Sequence, residues 1–231
     1  MGKIVAICGL AVVMLQSAPT QVYRDPGGRF TFSYPSRFGS PSRGTNDGFQ
    51  DRVAAIAFST FPARFKGEAV LARGFPLIDL QAAGGLYDGI ALEIFPDAVR
   101  ARVIAQLPRL TAANLCQALQ QPRHLDPNLP AFASLPPPQR EAIGQVDVMR
   151  NANPRLVECR TTGDVVVFDK QRSFRDGDPA QHVYGAVRFL AAPFSTFQVI
   201  AGGDEPDAAM LTALADLVGS FTPRNEAARE R

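Results

Sequence analysis

Few side chains in this chain are equipped for chemistry: 231 residues include two His, three Cys and no Trp. His182, Tyr184 and Arg188 recur at even spacing, so a strand period of two puts them on one face. An imidazole, a phenol and a guanidinium there could meet an anionic or polar ligand. If the next strand pairs as a hairpin, Thr196 and Gln198 join that candidate binding face. The competing reading is a solvated sheet face, or one half-covered by helices from the middle of the chain. His124 lies in Pro-Arg-His-Leu-Asp-Pro, which reads as a turn with a solvated imidazole rather than a base. Asp176 and Asp178 flank Gly177, but the oxygen-rich loop that Ca²⁺ requires does not follow. Glu93 and Asp97 stand near a predicted helix start, where the helix dipole accounts for the Asp without general-acid duty. No nucleophile elbow, P-loop, dinucleotide fingerprint, H-E-x-x-H or paired C-x-x-C is present. The sequence therefore names no catalytic residue, no metal ligand set and no cofactor.

Cysteine usage points to a compartment. Residues 1–20 hold Lys3, an apolar run over 4–15 and a small polar tail, the three regions of a secretory signal peptide. At about 1.5 Å per residue the run is too short for a hydrocarbon core of about 30 Å, so no permanent anchor is expected. Pro19 blocks a cut after Ala18, leaving the bond after Ser17 or the one after Thr20, and the second is preferred. A lipoprotein would need a small residue before Cys8, where Ile7 stands. The other reading of the run is a buried strand or helix. Cleavage removes Cys8 and leaves Cys116 and Cys159, an even number in an oxidising compartment, so a disulfide is expected. Closing that loop would stabilise the fold by roughly 4 kcal/mol in the chain-entropy model. Two free buried thiols or a metal site are the alternatives, and zinc would need further ligands nearby.

The elements that must position these residues follow from periodicity. Composition is that of a folded body, 46% hydrophobic and 20% charged, and net charge is +2 without a basic run, so neither disorder nor nucleic-acid binding is indicated. Phe30, Phe32 and Tyr34 alternate with polar residues after a D-P-G-G turn, the clearest strand. A strand over 52–61 should pair with it. Helical spacing follows over 97–107, from Thr111, and over 139–150, with six prolines between 122 and 138 making a rigid extended crossing. From Pro154 onward two hairpins are predicted, over 155–171 and 182–201, then a helix capped by Asp204 that buries Leu211, Leu214, Leu217, Val218 and Phe221. The predicted class is α+β: a largely antiparallel sheet flanked by helices in one domain over 21–223. Residues 62–154 form a helical, Pro-rich insertion, and 224–231 a charged tail.

The run Tyr23-Arg-Asp-Pro-Gly-Gly-Arg-Phe-Thr-Phe-Ser-Tyr-Pro35 resembles the PsbP-like proteins, whose domains open with an aromatic, a D-P-x-G turn and F-x-F-x-Y-P. The closing hairpin and the helix ending in Ser220-Phe221 resemble that family's C-terminal pattern, while 62–154 is unmatched. The resemblance implies an α/β/α sandwich and a family of mostly non-catalytic binding or assembly factors attached to larger complexes. The expectation is an exported, non-catalytic envelope protein, periplasmic or extracellular, with an unknown envelope protein or small ligand as partner. A hydrolase with a dispersed site and a binder of a small apolar or lipid ligand are the alternatives.

Overall fold

The computed structural model describes residues 19–43, 52–58, 74–82, 86–87, 97–121, 124–151, 155–172 and 181–224. Most of the segment read as a signal peptide, Glu93, Asp176, Asp178, the end of the strand expected over 52–61 and the tail beyond 224 lie outside them. The fold is α+β with antiparallel sheets.

The first block builds a small sheet. Strands β1 (Thr20–Arg24) and β2 (Phe30–Pro35) flank the D-P-G-G turn, in which Gly28 adopts a φ of 71° that favours glycine. Asp25, its side chain shielded from solvent, accepts Arg29 Nε–H at 2.8 Å and the Arg29 backbone N–H at 3.2 Å. Burial alone would push this carboxyl up, but hydrogen bonds and charge from Arg29, with Arg43 beside it, hold it below the ordinary carboxylate range. Alternation turns Phe30, Phe32 and Tyr34 inward, where Phe32 meets Phe197 at 5.3 Å between ring centroids, Phe30 meets Phe221 at 5.5 Å and Tyr34 meets Phe58 at 4.9 Å.

The second sheet has seven strands in the order β3-β4-β5-β11-β10-β9-β8. They are β3 (Ser42–Arg43), β4 (Arg52–Ala57), β5 (Leu77–Ala82), β8 (Arg155–Thr162), β9 (Val165–Arg172), β10 (Gln181–Phe189) and β11 (Phe194–Gly203), and β6 (Leu86–Tyr87) pairs separately with β7 (Arg109–Leu110). The expected pairing of the 52–61 strand with the Phe30 strand does not occur. Both edges of β2 are taken, by β1 and by β12 (Thr222–Pro223), so β4 meets β2 only through side chains across the core. Residues 77–82, read as part of the insertion, are β5 at the sheet's centre.

Helix α4 (Ala208–Gly219) packs on the sheet beside β2 and buries Leu211, Leu214, Leu217 and Val218. Its cap is Asp207 rather than Asp204: the Asp207 carboxylate accepts Met210 N–H at 2.8 Å, and the helix begins only at Ala208. On the sheet's other face α2 (Leu115–Gln120) lies against β8 and β9 over Val166, Phe168 and Val187. Helices α1 (Asp97–Ile104) and α3 (Pro137–Asn151) bury Val99, Val103 and Ile143 with Leu125 and Phe132 in a cluster of their own. Cys116 and Cys159 are disulfide-bonded, with Cα atoms 5.7 Å apart, tying α2 to β8. A bulge between Leu156 and Glu158 interrupts the strand period, so Val157 is exposed while Leu156 and Cys159 point under α2.

Candidate functional site

Register decides where the five candidate residues go. In β10, Tyr184 pairs with Ala201 of β11 and Arg188 with Phe197. Directly paired residues share a face, so His182, Tyr184 and Arg188 point to the α4 side with Ala201 and Phe197. Thr196 and Gln198, one position from Phe197, point to the opposite side. The structure thus divides the expected face into two.

His182 and Tyr184 belong to the interior. The His182 ring is 2% exposed, and its Nδ1 lies 2.8 Å from both carboxylate oxygens of Asp169, itself buried on β9. Its Nε2 is 3.2 Å from the Gln171 side-chain amide. An Nδ1–H that donates to Asp169 and an Nε2 that accepts from Gln171 satisfy both nitrogens. Tyr184 lies beside the imidazole and donates its hydroxyl to the Glu205 carbonyl in the turn before α4. Burial, then the Asp169 charge and the acidic residues 204, 205 and 207, push the Tyr184 phenol up to about 12. A His–Asp pair becomes a catalytic base only when the second ring nitrogen faces a nucleophile or substrate. Among the described residues it faces Gln171.

Arg188 is a clamp on the end of α4. Its guanidinium donates to the Gly219 carbonyl at 2.8 Å and the Phe221 carbonyl at 2.9 Å, while Nε–H donates to Asp164 at 2.9 Å. A cation on the last carbonyls of a helix satisfies orphan acceptors and opposes the helix dipole.

The opposite face is different. Asp79 and Gln81 of β5 stand directly across from Gln198 and Thr196 of β11, forming a square of polar side chains at the sheet's centre. Gln81 Nε2 donates to Asp79 at 3.2 Å, and Gln198 Nε2 donates to the Thr196 hydroxyl at 3.1 Å. Asp79, Gln81 and Gln198 are half-buried, as are their same-face neighbours Leu77, Ala55 and Ile200, and Thr196 is fully buried. On the α4 side the same strands bury Ile56, Ile78, Leu80, Phe197 and Val199. Asp79 and Gln81 carry an alternation visible in Leu-Ile-Asp-Leu-Gln; Asp169 and Gln171 interrupt an apolar strand run, the signal that marks a buried polar pair.

A groove of about 470 Å³ runs between α2 and β8, lined by Cys116, Gln117, Gln120, Leu156, Val157 and Cys159. His124 is largely exposed, with Nδ1 2.9 Å from Asp147, whose other oxygen accepts Leu125 N–H at 2.6 Å. Among the described residues no group of three or more His, Cys, Asp and Glu is arranged to hold a metal, and no helix is long and apolar enough to cross a membrane. Compared with known protein families and with curated proteins, the chain matches none of either.

Proposed function

We propose that this is an exported, non-catalytic binding or assembly protein of the cell envelope that engages its partner through the partly exposed face of β5 and β11. The observation that carries the reading is the partly exposed polar set Asp79, Gln81 and Gln198, with the buried Thr196 paired opposite Gln81. Central strands of a sheet ordinarily carry apolar side chains on a covered face, whereas amide and carboxylate groups ringed by half-buried apolar ones suit contact with a partly polar partner. The Cys116–Cys159 bridge supports an oxidising compartment.

The two blocks that carry the PsbP-like resemblance lie against each other in this fold. Ser33 N–H of β2 donates to Ser220 Oγ at 2.8 Å, and Phe30 stacks on Phe221. Against a hydrolase stands the occupation of both His182 nitrogens; against an apolar ligand within the core stands the mutual packing of Phe32, Tyr34, Phe58 and Phe197.

The test places a photo-crosslinking residue at Gln198 in the full chain, expressed with its leader, and recovers the envelope fraction. The expected result is a mature protein whose mass begins near Gln21, carrying one discrete adduct that Gln81→Leu abolishes. A full-length cytosolic species, or crosslinks no different from those at an exposed control position such as Thr212, would overturn the proposal.

A further inference from the structure

We infer that the Cys116–Cys159 bridge is an exchange site of the folded protein, opened by attack of a small dithiol or dithiol-bearing reductant on Cys159 from the groove between α2 and β8. This does not rest on the binding face. A buried structural disulfide is protected because an attacking thiolate cannot reach either sulfur. Here both cysteines line the groove of about 470 Å³, and neither is fully buried. Val157, exposed and left unpaired by the bulge, and the half-buried Leu156 beside it form its wall on the β8 side.

The two sulfurs are not equivalent. Cys116 Sγ lies 3.7 Å from the Thr161 hydroxyl, which also lies 3.4 Å from the Ala112 carbonyl. One proton serves both. When Cys116 becomes a thiolate, the hydroxyl turns from the carbonyl to the sulfur, because a charged acceptor makes the stronger hydrogen bond. Exchange runs faster when the leaving sulfur is stabilised as its thiolate. Attack on Cys159, with Cys116 leaving, is therefore the favoured direction. The reductant's thiolate forms a bond to Cys159 Sγ as the Cys159–Cys116 bond breaks, and Cys116 departs with the electron pair and takes a proton from solvent. The reductant's second thiol then closes its own disulfide and releases Cys159. Two electrons and two protons have passed to the protein, and the reductant leaves oxidised.

Opening frees α2 from its covalent tie. What remains beneath it is contact among Leu115, Leu156, Val166 and Phe168, so reduction controls access to an apolar patch on the sheet.

The experiment uses the purified full-length mature protein with its bridge intact, in native buffer. Dithiothreitol is added, samples are quenched by alkylation, and intact masses are followed in time. Reduction should be first order in dithiothreitol with no plateau. With glutathione as a monothiol and iodoacetamide present throughout, the glutathione adduct should map to Cys159 and the alkylated thiol to Cys116, by about tenfold over the reverse. Thr161→Val should slow native-state reduction several-fold and leave the rate in guanidinium chloride unchanged. A rate that saturates at the unfolding rate, adducts shared equally between the cysteines, or a Thr161→Val protein reduced as fast as the parent would each overturn the inference. The chemistry is read on isolated protein, so its failure is distinct from failure of the envelope crosslink.

Discussion

His182, Tyr184 and Arg188 each tie one element of the fold to another, through Asp169 of β9, the Glu205 carbonyl before α4 and the carbonyls of Gly219 and Phe221. Tyr184 has a measurable signature. Its phenol titrates at about 12 in the fold against an ordinary value of about 10, so the neutral form is favoured in the native state. The sign follows: this contribution is complete below about pH 10 and is lost as pH rises through the folded value. Urea midpoints of the parent should therefore fall relative to Tyr184→Phe between about pH 10 and pH 12, while near pH 7 the variant is weaker by roughly 1 kcal/mol because the Glu205 carbonyl loses its donor. His182→Ala should be more severe, at roughly 3 kcal/mol by urea denaturation at neutral pH. It leaves the Asp169 carboxylate buried with its main partner gone. A His182→Ala protein as stable as the parent would show that water or a rearranged side chain fills the site.

At the scale of elements, β9 and β10 are matched through a glycine. Gly185 pairs directly with Phe168, whose ring lies over the glycine so that a Cβ there would fall within it. Gly185→Ala should destabilise by about 1–3 kcal/mol, read as a lower urea midpoint with an unchanged slope. The strands and helices of the C-terminal half were legible because their signals are local: the Gly163-Asp164 turn, the alternation in β10 and the stripe on α4. The central strand β5 is carried by six residues, Leu-Ile-Asp-Leu-Gln-Ala, beside a Gly- and Ala-containing stretch, and its partners come from distant parts of the chain. Only tertiary pairing with β4 and β11 makes it a strand. The candidate face was misjoined for a related reason. Even spacing within β10 assigned His182, Tyr184 and Arg188 correctly to one side, but a hairpin's register sets which residues of β11 join them. That register pairs Phe197, not Thr196 or Gln198, with Arg188. Asp207 captured the cap from Asp204 because its carboxylate sits three residues before the Met210 N–H it accepts.

At the scale of the whole molecule, apolar packing among the described residues is divided into three clusters. The cluster around Val99, Val103, Phe132 and Ile143 is built from local helices and a Pro-rich crossing, whereas the main core joins both sheets and α4. Local openings follow such divisions. Native-state hydrogen exchange should find amides of α1 and α3 opening at a free energy well below those of β9, β10 and β11; equal protection throughout would show one cooperative unit. The clasp between Ser33 and Ser220 spans 187 residues, and β12 completes the small sheet just beyond it. During synthesis the chain emerges from its N-terminus, so β2 must wait for one of its two strand partners until nearly the last described residues have been made. An aromatic strand left without that edge and without α4 is slow to commit to a fold, because the contacts that complete it are non-local. The core around β2 therefore closes only when α4 and β12 join it, so its completion depends on contacts that reach across 187 residues.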